Sequence, residues 1–171
     1  MSDDLSESEL ERYAAQIERI GIDAQLRLKA ARAIVVGAGA AGSAAAAELV
    51  SRGVGYVAVV DGATVTLGDL CGQALLYTPD VGANRAEAVV AKLGVLNPHV
   101  HAESYPVDVD DSNAEAILIG HDLALDCADG LPDEAGRVGI ELVRAEGAET
   151  PDGVRAAARA IGLLAAVEAV R

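Results

Sequence analysis

The chain has 171 residues, 51% of them hydrophobic, no Phe or Trp, and a formal net charge of −14 from 27 acidic and 13 basic residues. That length carries one domain with a sizeable core of Val, Leu, Ile and Ala, and the acidity disfavours nucleic acid and anionic lipid, which need basic patches. No apolar run reaches the roughly 18–20 residues of a bilayer span, and the acidic, polar start Met1-Ser2-Asp3-Asp4 is not a secretory signal, so the expected location is cytoplasmic.

Ser6-Glu7-Ser8-Glu9 reads as a capping box. The helix it opens carries Leu10, Tyr13, Ile17 and Ile20 on one stripe and ends at Gly21. Asp23 is placed to cap a second short helix, running to Ala30. Two such helices ahead of the first strand are expected to cover a sheet edge or reach a neighbouring subunit.

Ala33-Ile34-Val35-Val36 follows, then Gly37-Ala38-Gly39-Ala40-Ala41-Gly42, an alanine-rich run to Leu49, the stop at Gly53 and Gly55, and Tyr56-Val57-Ala58-Val59-Val60-Asp61. This reads as strand, glycine turn, helix, strand. The unbroken apolar runs suit strands buried on both faces. In a GxGxxG turn the first glycine permits the tight bend, the second lets backbone approach a phosphate, and the third allows close helix–strand contact. The helix N-terminus offers free N–H groups and partial positive charge to an anion. Asp61 lies 19 residues past Gly42, near the ~20-residue offset at which a carboxylate meets ribose hydroxyls. The flanking elements together with Asp61 favour a nucleotide site over a merely structural turn.

A loop from Gly62 to Pro79 sits beyond the second strand, where open α/β sheets place ligands. Asn84–Leu96 has a helical apolar face of Ala86, Val89, Val90 and Leu93, ended by Asn97-Pro98. Val100–Val107 alternates as a strand, Asp111-Ser112-Asn113 caps a short helix to Ile119, and Asp122–Asp126 is a fourth strand with Cys127-Ala128-Asp129-Gly130 at its carboxyl end. Val138–Val143 is a candidate fifth strand, Ala145–Gly153 is turn-like, and Val154–Arg171 is a helix burying Ile161, Leu164, Val167 and Val170. Alternation of buried strands with helices predicts an α/β, doubly wound, mainly parallel Rossmann-like sheet, with two N-terminal helices and a C-terminal helix. Residues 1–171 are expected to form one nucleotide-binding domain: helices over 1–32, core over 33–130, and a C-terminal part over 131–171. Cys71 and Cys127 cannot make a four-thiolate zinc site, and His99, His101 and His121 lack ligand spacing. Inert buried thiols and surface histidines are expected.

The ordered set Arg12-Tyr13-x-x-Gln16-Ile17, Gly21-x-x-x-Gln25-x-x-Leu28, GxGxxG, Gly53-Val54-Gly55, Asp61, Val65-x-Leu67-x-Asp69-Leu70-x-x-Gln73, Val81-Gly82, Asn97-Pro98 and Asp126-Cys127-Ala128-Asp129 resembles the ThiF/MoeB/HesA family, prokaryotic relatives of ubiquitin-activating enzymes. The resemblance covers about residues 5–130 and returns at Gly162–Val170. It implies binding of ATP–Mg²⁺ and adenylation of the C-terminal glycine of a ubiquitin-like sulfur-carrier protein, by a homodimer or a heterodimer with a paralogue. It assigns Gly37, Gly39 and Gly42 to the phosphates, Asp61 to the ribose, Gln73 to the phosphate-side loop, Arg85 to a catalytic cation, and Asp129 to catalysis and Mg²⁺.

The departures fall on the cations. Gly72 stands where the family has Arg, Arg85 where it has Lys, and Ala15 where another Arg would reach a partner's site. Asp69 replaces a family Asn and adds negative charge near the triphosphate. Gly130 replaces an Asn. The paired CxxC motifs are missing, so no zinc is expected, and a long carrier-groove segment is absent. Three readings stay open: a diverged adenylyltransferase, a non-catalytic nucleotide-binding subunit paired with a full-length paralogue, and an NAD-binding Rossmann protein.

Overall fold

The computed structural model describes residues 4–128, 131, 140–145, 147 and 149–166. The capping box forms as read: Ser6 N–H and Oγ–H both donate to Glu9 Oε2 at 2.8 Å, opening α1 (Glu7–Ile20). Of its apolar stripe only Tyr13 is buried, while Leu10 and Ile20 stay exposed. The helix is anchored by hydrogen bonds instead. Asn97 Nδ2 donates to Tyr13 Oη (2.7 Å) and to Val50 O (2.8 Å), and Gln16 and Gln25 both donate to Arg52 O. α2 (Ile22–Ala30) starts on Gly21 without a side-chain cap, so Asp23 is not the cap expected of it.

β1 (Arg32–Val36) and β2 (Tyr56–Val60) flank α3 (Ala40–Ser51). β2 is buried throughout and β1 from Ala33 onward, which is why neither alternates in sequence. α4 (Arg85–Leu96) begins on Asn84, whose Oδ1 accepts from Glu87 N–H. β3 (His101–Tyr105) does alternate, as an edge strand should. α5 (Ala114–Leu118), β4 (Leu123–Asp126), β5 (Glu141–Arg144) and α6 (Thr150–Ala166) complete the described α-helices and strands, and two short 3-10 turns, Gly68–Leu70 and Thr78–Asp80, lie in the loop before α4.

Five strands among the described residues form one all-parallel sheet in the order β3-β2-β1-β4-β5. This is the doubly wound arrangement expected. The chain steps outward from β1 to β3, then returns to place β4 on the other side of β1. That reversal leaves a crevice beyond the carboxyl ends of the central strands, beside Gly37. One sheet face packs Val35, Val57, Val59, Leu123 and Leu125 against Leu49, Leu93 and the alanines of α3 and α6. The other packs Ile34, Ala58, Val60 and Ala124 against Leu118, Leu131 and Ile140.

Boundaries differ from the sequence reading at β3, which covers His101–Tyr105 rather than Val100–Val107, at α6 and at the fifth strand. α6 starts at Thr150, within the stretch taken for a turn; Pro151 and Asp152 in the first turn are N-terminal helix signals. Its buried hydrophobic residues are Ala156, Ala157, Ala160 and Leu164, Ile161 is partly buried, and Val167 and Val170 lie outside the described residues. The fifth strand is shifted toward the C-terminus, because pairing with β4 sets it: Leu123 opposes Glu141 and Asp126 opposes Arg144.

Candidate functional site

The crevice is built on the glycine turn. Gly37 has φ +91°, a left-handed conformation natural to glycine, and its N–H donates to Val60 O at 2.8 Å. A Cβ at Gly42 would stand 1.7 Å from Gly37 O, so α3 meets the turn backbone to backbone. Gly39 caps α3 and makes no side-chain capping bond, so no side chain of the cap occupies the first-turn N–H groups.

Asp61 follows β2 directly and is nearly buried, its side chain 5% exposed. Its Oδ2 accepts from Ala38 N–H (2.7 Å) and from Arg85 Nε (2.9 Å) and Nη2 (2.7 Å). Its Oδ1 accepts from Ala63 N–H at 2.9 Å. Arg85 arrives from the first turn of α4, and its third nitrogen, Nη1, donates to Asp69 Oδ1 at 2.9 Å. Burial works against the guanidinium charge, but the hydrogen bonds and charges of Asp61 and then Asp69 outweigh it, so its pKa rises. Asp69 Oδ2 accepts from Thr66 Oγ–H and N–H, each at 2.7 Å, and those bonds, ahead of Arg85, hold its carboxyl below the usual range. The negative charge that Asp69 adds is paired with Arg85, a guanidinium it shares with Asp61.

Gln73 joins the same ring. Its Nε2 donates to Asp69 O at 2.5 Å, and its Oε1 lies 3.0 Å from Ser43 Oγ, which is 2.8 Å from Ala38 O. Thus Gly37, Gly39, Gly42, Asp61, Gln73 and Arg85 are brought together at the carboxyl edge of the sheet. Asp129 lies outside the described residues. Asp126, which the sequence grouped with it, is buried and structural: it accepts from Ala128 N–H and Leu131 N–H and pairs with Arg144. Among the described residues no cluster of three or more His, Cys, Asp or Glu is placed to hold a metal. Cys127 is partly buried against the turn, and burial, then Asp126, pushes its thiol up to about 12, whereas Cys71 is exposed.

A cleft of about 230 Å³ opens beside Gly37, Asp61 and Arg85. Val36, Val60, Val107 and Val109 give it apolar walls, and Asp61, Arg85 and Asp108 give it polar groups. Such walls with a few convergent polar groups suit a flat base joined to a diol. The segment from Val107 to Val109 was missed as a site by the sequence reading, which assigned Val107 to a strand. β3 ends at Tyr105, so these residues belong to the crevice. The available signal was that a third parallel strand must also end beside the switch point.

The geometry can be set beside known proteins. The ThiF family profile matches residues 13–135. The chain belongs to the ThiF family. It is 36% identical over 152 residues to the adenylyltransferase and sulfurtransferase UBA4 of Vanderwaltozyma polyspora, covering 84% of this chain and 35% of that protein. It is 40% identical over 129 residues to the sulfur carrier protein adenylyltransferase of Thermus thermophilus, covering 74% of this chain and 48% of that one. Among solved structures, the E. coli tRNA N6-threonylcarbamoyladenosine dehydratase TcdA in complex with AMP superposes with a TM-score of 0.77 at 25% identity, covering 84% of this chain and 61% of that one. The chain thus spans about a third to a half of the length of these two curated relatives. No helix among the described residues is long and apolar enough to cross a membrane.

Proposed function

We propose that this ThiF-family chain binds an adenine nucleotide, ATP in preference to NAD, across the glycine turn, and adenylates the C-terminal glycine of a ubiquitin-like sulfur carrier. The observation that carries the reading is the meeting of Asp61 and Arg85 above the head of α3, inside an apolar-walled cleft. Relatives named adenylyltransferases and an AMP-bound neighbour support the choice of adenine nucleotide.

In this reading Asp61 accepts the ribose hydroxyls, the turn from Gly37 to Gly42 and the α3 N-terminus receive the phosphates, and Gln73 braces the phosphate-side loop. The carrier's carboxylate oxygen attacks the α-phosphorus. A carboxyl–phosphorus bond forms, the α–β bridging P–O bond breaks, and pyrophosphate leaves with the electron pair. Backbone N–H donors and Arg85 would stabilise the charge that develops on the phosphoryl oxygens. Magnesium, when bound, would neutralise phosphate charge; Asp129 is its proposed ligand.

The second reading, a non-catalytic nucleotide-binding or regulatory subunit paired with a full-length paralogue, is favoured by Gly72 and Ala15 at the two vacant cation positions and by Arg85 being bound to two carboxylates. Losing one such donor costs on the order of 10²–10³ in rate. Carrier-dependent exchange of labelled pyrophosphate into ATP decides between them. Exchange supports adenylation; ATP binding without exchange, with a carrier shown to bind, supports the subunit reading; tighter binding of NAD than of ATP defeats both.

A further inference from the structure

Asp61 has a carboxylate oxygen that is already fully engaged. Oδ2 receives three donors, two of them from Arg85, while Oδ1 receives the Ala63 N–H. Oδ1 keeps room for one hydroxyl, but a ribose diol that places its second hydroxyl on Oδ2 needs acceptor capacity that the guanidinium now takes. Arg85 is also the one cation among the cleft's described lining residues, which include Asp61 and Asp108. Phosphates at the glycine turn and the carboxylate of Asp61 therefore draw on the same positive charge.

The arrangement also supplies a pivot. Asp69 grips only Nη1 of Arg85 and is itself fixed by two bonds from Thr66 and braced through its carbonyl by Gln73. Nε and Nη2, the two nitrogens on Asp61, can leave it while Nη1 stays on Asp69. The Arg85 side chain lines the cleft and is 22% exposed, so it is not locked in packed core.

We infer that Arg85 is a specificity-determining residue that makes the ribose site answer to phosphate: the guanidinium leaves Asp61 for the ligand's phosphates, so phosphorylated nucleosides enter and free nucleosides are held off. This rests on the nucleotide reading above. A bare nucleoside must displace Arg85 and gives it nothing in return. A nucleotide offers the displaced guanidinium an anion, and Arg pairs well with phosphate. A fixed Arg85 that merely orients Asp61 would instead favour both ligands equally.

The test is calorimetric titration of the full chain with adenosine, AMP and ATP, on wild type, Arg85→Gln and Arg85→Lys. Wild type should bind ATP at least tenfold more tightly than adenosine. Arg85→Gln should tighten adenosine by about five- to tenfold and weaken AMP and ATP by at least as much, the size expected of one partly buried ion pair. Arg85→Lys keeps a charge for phosphate but is too compact to bridge both carboxylates. It should tighten adenosine about two- to fivefold and cost ATP less than Arg85→Gln does, and it serves if the glutamine variant folds poorly. Adenosine and ATP moving in the same direction in these variants would overturn the exchange while leaving the nucleotide reading standing. Wild type binding neither adenosine nor ATP would overturn that reading, and the inference with it.

Discussion

Gly42→Ala tests the turn on which the site is built. The new Cβ would lie 1.7 Å from Gly37 O and 2.8 Å from Gly37 C. Carbon atoms of this kind keep about 3 Å from an oxygen, so turn and helix must separate by roughly 1.3 Å. Neither has room to yield easily. Gly37 is bonded to Val60 O, and its own Cβ position is 2.8 Å from Ala128 Cβ. Overpacking of this severity costs about 1–3 kcal/mol, offset by roughly 1 kcal/mol from the better helix propensity of alanine. A net loss of up to about 2 kcal/mol lowers Tm by up to about 8 °C in a chain of this size. A displacement above 1 Å at the phosphate-facing turn should also weaken ATP at least tenfold, since placement on that scale governs such sites. Gly39→Ala is the control: its Cβ meets nothing within 4 Å and its φ is −68°. It should cost about 1 kcal/mol or less as a poorer N-cap, yet still weaken ATP by crowding the phosphate. Thermal unfolding and calorimetric titration read both effects. A Gly42→Ala protein with wild-type Tm and wild-type ATP affinity would refute the backbone-contact argument.

Three further outcomes are expected. Because Asp69 has a lowered pKa, its contribution is present above the unfolded value near 3.8 and lost as pH falls through the folded value; stability measured by urea should drop below about pH 4, and less steeply in Asp69→Asn. Gly72→Arg places a residue at φ +82°, costing about 1–2 kcal/mol of backbone strain, so Tm should fall while ATP affinity rises; an unchanged Tm would contradict the left-handed geometry. Iodoacetamide at pH 8 should label exposed Cys71 at least tenfold faster than Cys127, whose thiol stays protonated, as peptide mass spectrometry would show.

The sequence by itself determined the local grammar of this protein. Ser6 and Glu9, the apolar runs at Ala33–Val36 and Tyr56–Val60, the three glycines and Asp61 act over a few residues, or over one strand–helix–strand unit, where periodicity and turn chemistry leave little freedom. The ordered motifs then pointed to the family, and through it to Gln73 and Arg85. Tertiary structure decided the rest, because it depends on which distant groups the parallel crossovers bring together. Asp61, Asp69 and Arg85 are 8 to 24 residues apart in sequence, and no pattern announced that one guanidinium would serve two carboxylates. Pairing set the strand ends, opening the Val107–Val109 segment to the cleft and shifting β5. The α1 stripe looked ready for burial, yet the Tyr13, Gln16, Gln25 and Asn97 hydrogen bonds fix how that helix docks and leave Leu10 and Ile20 in solvent. Periodicity shows which face of a helix is apolar; only the packed neighbours decide whether that face is covered.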